Sequence, residues 1–80
     1  SYTYQILNGR RKPTRNFLLR IAIFISLSLD ETQKMLTIAQ RPQLYPRNRF
    51  DAAIIFSLEH KMSLDETYEL LEEIGEEPLN

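Results

Sequence analysis

Residues 28–36 read SLDETQKML and residues 63–71 read SLDETYELL, so one motif stands twice, 35 residues apart. In both copies a serine lies three positions before a glutamate at the head of an apolar run. At that spacing the hydroxyl and the carboxylate satisfy each other's free backbone N–H groups at a helix start, the arrangement known as a capping box. Each copy follows an apolar helical stretch and precedes a proline and then a leucine, Pro42 and Leu44 in one case and Pro78 and Leu79 in the other. The chain therefore holds two helix–capping box–helix units. Arrays of stacked helical repeats need about three copies for stability, so the pattern predicts a local duplication within one domain.

The remaining boundaries follow from caps and breakers. Gly9 comes after Ile6, Leu7 and Asn8 where a left-handed residue closes a helix, which predicts a helix end or a short helix over Ser1–Asn8. Pro13 breaks the chain and Thr14 caps a second helix with an inward stripe of Phe17, Leu18, Ile21, Ala22 and Ile25. The first capping box opens a third helix through Leu29, Thr32, Leu36 and Ala39. Two prolines and no periodicity make 41–48 a loop. Asn48 caps a fourth helix with Phe50, Ala53, Ile54, Ser57 and Leu58 inside, and the second box starts a fifth through Leu64, Thr67, Tyr68, Leu71 and Ile74, ended by Gly75. The expected fold is all-α with about five short helices, divided into 1–40, a loop at 41–48, and a helical extension at 49–80 with an acidic tail. Ile23, Phe24, Ile55 and Phe56 lie outside the main stripes, as on central helices, and point to self-association, as a homodimer or in another form.

Eighty residues with 42% apolar content suit one small domain, too short for a large enclosed active-site cavity. The absence of cysteine excludes disulfides, cysteine-bound zinc and thiol chemistry and favours an intracellular, cytoplasmic setting. The run FLLRIAIFISLSL is interrupted by Arg20 and falls short of the roughly 18 apolar residues that span a bilayer, so it is expected as a core helix without membrane contact. A formal charge of −1 hides a polarity: residues 1–29 carry Arg10, Arg11, Lys12, Arg15 and Arg20 and no acid, whereas residues 51–80 carry nine acids against Lys61. The first part is suited to an anionic partner.

Within that first part, Ser1, Tyr4, Gln5 and Asn8 fall in one arc of about 100° on the expected helix, opposite Thr3, Ile6 and Leu7. Amides pair bidentately with adenine, hydroxyls reach either base edge, and an α-helix fits the major groove. Arg10, Arg11 and Lys12 follow directly, and Thr14, Arg15 and Asn16 open the next helix, whose amides and dipole favour phosphate.

The succession SYTYQILNGRRKPT…LLRIAIFISLSLDE resembles the second half of a helix-turn-helix domain of the phage-repressor/Cro class, also called the xenobiotic-response-element class. In that family a recognition helix runs into a Gly-basic-basic-x-Pro turn, an apolar helix, a short Leu-Ser linker and a last helix. The likeness covers Ser1 to about Ala39. It implies base reading by Ser1 and Gln5 with Tyr4 beside them, a phosphate contact at Asn8, burial of Ile6, and backbone contacts from Arg10, Arg11 and Lys12. The family's first two helices precede this point, so the sequence is expected to be the C-terminal part of a cytoplasmic transcriptional regulator that binds double-stranded DNA. The alternative expectation is a helical interaction or dimerisation module without DNA binding.

Other chemistry finds little support. His60 has no cysteine partner and reads as a helix-terminal residue. Glu72, Glu73, Glu76 and Glu77 have no apolar surroundings to raise a carboxyl pKa and read as a solvated face. Nucleophile motifs, phosphate loops and calcium loops are missing, so neither an enzyme nor a cofactor or metal is expected.

Overall fold

The computed structural model describes residues 12–80. They form four helices: α1 (Arg15–Phe24), α2 (Leu29–Ile38), α3 (Arg49–Glu59) and α4 (Leu64–Glu73). The all-α class is as expected, and the helix expected over Ser1–Asn8 lies outside the described residues.

Each start is set by the anticipated cap. Thr14 and Asn48 accept from the backbone N–H groups of Phe17 and Asp51, at 3.1 and 3.0 Å. Ser28 and Ser63 form reciprocal capping boxes with Glu31 and Glu66. The helix ends are equally regular. The N–H groups of Leu27, Arg41, Met62 and Glu76 reach back five residues to the carbonyls of Ala22, Leu36, Ser57 and Leu71, at 2.8–3.0 Å. This closure needs a left-handed residue just before the donor, found at Ser26, Gln40, Lys61 and Gly75. Only the last is a glycine, so three of these turns place a side chain in a conformation that L residues disfavour.

The duplication extends through the core. Leu19 and Ile54 are fully buried, as are Thr32 and Thr67, and Leu36 and Leu71; Leu44 and Leu79 are buried at the two ends. Both threonine hydroxyls donate to the carbonyl of their capping serine at 2.8 Å, which makes a hydroxyl tolerable inside the protein. Helices α1 and α3 touch each other and both remaining helices, whereas α2 and α4 lie apart on separate flanks.

That contact pattern is unchanged when the two units are exchanged, as in a two-fold arrangement. A translational stack would instead run second helix to next first helix, without the α1–α4 contact seen here. Hydrogen bonds obey the same exchange. Asp51 of the second unit accepts from the Tyr45 N–H beyond the first unit's buried leucine, and Asn16 of the first donates to the Asn80 carbonyl beyond the second unit's buried leucine. Lys61 donates to the carbonyl of its own equivalent, Ser26, at 3.1 Å.

Two stripe assignments need correction. Ile25, expected inside, is 56% exposed because α1 stops at Phe24 and the chain turns away through Ser26. Leu19 and Ile23 are buried because the central position of α1 covers it over a wider arc than one stripe. The expected stripes of α2, α3 and α4 face the core.

Two outcomes check this account. The buried Ser57 hydroxyl has no partner among the described residues, whereas its equivalent is Ala22. Ser57→Ala is therefore expected to raise the urea-unfolding free energy by up to about 1 kcal/mol. The Glu31 carboxyl is held below its ordinary pKa, chiefly by the Ser28 backbone N–H and then by its hydroxyl. A depressed carboxylate stabilises above its unfolded pKa, and that contribution is lost as pH falls through the folded value. Glu31→Gln keeps a capping side chain without the charge, so the urea midpoint of the variant should fall less steeply with acid than that of the parent.

Candidate nucleic-acid interface

The described chain begins at the end of the stretch expected to meet DNA. Ser1, Tyr4, Gln5, Asn8, Arg10 and Arg11 lie outside the described residues. Lys12 is exposed and leads through Pro13 into the Thr14 cap of α1. Thr14 is engaged as that cap, with its oxygen turned to the Phe17 N–H.

Arg15 has a different setting from the one expected. Its Nη1 and Nη2 donate to the two carboxylate oxygens of Asp51 at 3.0 and 2.8 Å, a bidentate pair. Its Nε donates to the Pro42 carbonyl at 2.9 Å and Nη2 also donates to the Gln43 carbonyl at 3.1 Å. Four of the five guanidinium N–H groups are thus directed at protein acceptors. The Asp51 side chain is only 8% exposed and that of Arg15 22%, so the pair is shielded and its charge is neutralised internally. Little of this side chain remains for a phosphate.

The clamp belongs to a junction of three segments: the start of α1, the 41–48 loop and the start of α3. Asp51 Oδ2 also accepts from the Tyr45 N–H at 2.9 Å. Arg41 Nε donates to the Pro13 carbonyl at 3.0 Å, tying the end of the first unit to its beginning. Gln33 makes a reciprocal pair with Leu44, donating to its carbonyl at 3.0 Å and accepting from its N–H at 2.7 Å. A loop with two prolines is thereby fixed without regular structure, since side chains satisfy its backbone groups. Arg49 pairs with Glu76 at 3.0 Å on the exposed side.

Sequence reasoning missed Asp51, Gln33 and Arg41. Asp51 stands three residues after a capping asparagine, where an acid already has a local role near the helix dipole, and nothing local names an arginine 36 residues away as its partner. Arg20, the base inside the apolar run, lies with its guanidinium 5.8 Å from the centre of the Phe17 ring and its Nε buried. His60 is exposed, stacks on Phe56 with ring centres 4.0 Å apart, and faces the Phe56 carbonyl through Nδ1. Among the described residues no cluster of three or more histidine or acidic side chains could hold a metal ion, and no helix is long and apolar enough to cross a membrane.

Compared with protein-family models, with curated proteins and with solved structures, the chain matches none of them.

Asp51→Ala would leave the guanidinium and the Tyr45 N–H without their acceptor. A loss of about 3 kcal/mol in the urea-unfolding free energy is expected. Arg15→Lys keeps the charge and loses the planar fork, and should cost about 1–2 kcal/mol in the same measurement.

Proposed function

We propose that this chain belongs to a helix-turn-helix transcriptional regulator that reads double-stranded DNA through the segment ending at Asn8. The observation that carries the reading is the order of residues from Tyr4 to Arg15: amide and hydroxyl side chains on one helical arc, a glycine, three bases, a proline and a capped apolar helix. A helix that reads bases must stop, hold the phosphate backbone and turn into the core, and these residue types perform those steps in that order. The acid-free first 29 residues add the required charge.

Residue roles follow from chemistry. Ser1, Tyr4 and Gln5 address base edges, Asn8 reaches phosphate as an uncharged donor, and Arg10, Arg11 and Lys12 supply backbone charge. Thr14 caps the start of α1, its hydroxyl oxygen accepting from the Phe17 N–H. Arg15 is left out of the phosphate set because its donors are directed at Asp51 and the 41–48 loop. Its contribution is to hold α1 where the preceding bases need it. The regulator acts in the cytoplasm in this reading, and the second unit serves packing or self-association.

A second reading, an interaction module without DNA binding, is favoured by the acidic second unit with its apolar groove between α3 and α4. Salt separates the two, because counterion release makes DNA affinity fall steeply with ionic strength.

The test is the affinity of the parent regulator for duplex DNA across a salt series, with this 80-residue chain measured beside it. Gln5→Ala is expected to cost about 1–3 kcal/mol at one base position, and Arg11→Ala to weaken all sequences alike while reducing the salt slope by about one. A parent whose binding ignores both substitutions would remove the DNA assignment.

A further inference from the structure

The duplication that shapes the core also repeats the basic lead-in to α1. In the 35-residue register Arg47 stands where the first unit has Lys12, and each base comes just before the cap of its unit's leading helix, Thr14 for α1 and Asn48 for α3. The two helix starts meet, because the Arg15–Asp51 pair joins their first turns at 2.8 Å. Arg41 Nε, bonded to the Pro13 carbonyl, brings the 41–48 loop against the chain next to Lys12. Both basic lead-ins therefore come to one end of the molecule. The carboxylates hydrogen-bonded there do not oppose an anion, since Asp51 is taken by Arg15 and Glu76 by Arg49. Arg47 is exposed and enters no ion pair among the described residues. It lies in a turn closed by the Asn48 N–H on the Tyr45 carbonyl at 3.0 Å, and the Tyr45 N–H is itself held by Asp51. Pro46 fixes φ inside that turn, so the Arg47 side chain is presented from an ordered backbone. Residues 32–50 carry four bases and no acid.

We propose that Arg47 is a second phosphate contact for duplex DNA, the counterpart in the second unit of Lys12 in the first, so that the nucleic-acid backbone is held across the junction of the two helix starts. The inference rests on the DNA reading above and extends it to a loop that reading leaves unused. Charge and shape favour a duplex backbone as the ligand. The guanidinium is a planar fork that matches phosphate oxygens, and two cationic lead-ins side by side suit a repeating anion. Arg41 adds its charge beside Pro13 while its Nε stays on the Pro13 carbonyl. Contacts of this kind fix register and carry no base information, so Arg47 contributes equally on every sequence.

Fluorescence anisotropy of the full 80-residue chain with a labelled random-sequence duplex, from about 0.05 to 0.3 M salt, tests the contact. Arg47→Ala should weaken binding about five- to tenfold at the lowest salt and reduce the salt slope by about one, and Arg47→Lys should restore the slope. The urea midpoint of Arg47→Ala should match that of the parent chain, because the side chain is exposed. Lys34→Ala makes the same charge change on α2 and should leave affinity and slope nearly unchanged. If Arg11→Ala weakens binding and Arg47→Ala does not, the inference falls and the DNA reading stands. If Arg47→Ala weakens it and Arg11→Ala does not, the contact stands and the reading through Arg11 falls. A loss equalled by Lys34→Ala would reduce the effect to net charge and overturn the contact, as would a chain that binds no duplex at the lowest salt, whatever the parent regulator does.

Discussion

The bidentate contact between Arg15 and Asp51 is the constraint on which the rest of the arrangement depends. It joins the first turn of α1 to the first turn of α3, so the two central helices start from a shared ion pair. It also holds the loop between them, since Arg15 takes the Pro42 and Gln43 carbonyls and Asp51 takes the Tyr45 N–H. Without that pair an irregular stretch with two prolines would have several ways to run between the units. With it, Leu44 has one place to be buried. The shielding of both side chains strengthens the contact and raises the cost of losing either partner.

Around this pair the duplicated units interlock by exchange. Each unit ends in a buried leucine, and the backbone beyond it is held by a side chain in the first turn of the other unit's leading helix, Asp51 for Tyr45 and Asn16 for Asn80. Both halves are therefore incomplete alone. The two copies share caps, helix-closing turns and core positions, while some exposed sites differ: Glu59, Glu69 and Glu73 stand where the first unit has Phe24, Lys34 and Ile38.

What the sequence made legible was local. The caps at Thr14, Ser28, Asn48 and Ser63 act over three residues, so their chemistry is visible as a short pattern, and the helix starts follow from it. Gly75 was readable as a helix end, but Ser26, Gln40 and Lys61 adopt the same left-handed conformation without a glycine to announce it. The stripe of α1 was drawn too narrow because its burial depends on three neighbours, which periodicity alone does not count. The Arg15–Asp51 pair joins residues 36 positions apart, each with a plausible local role, and so it could not be read from spacing. Of the candidate DNA-contacting residues, Lys12, Thr14 and Arg15 lie within the described region, and there the motif expected from charge yields an internal clamp at Arg15.

If the exchanged ends and the ion pair make one body of two units, the halves must open together. Native-state hydrogen exchange on the unmodified chain measures this directly through the core amides of Leu19 and Ala22 on α1 and of Ile54 and Leu58 on α3. The account predicts the same opening free energy for both pairs, equal to that of global unfolding. A second unit that keeps its protection while α1 exchanges through a lower-energy opening would contradict it.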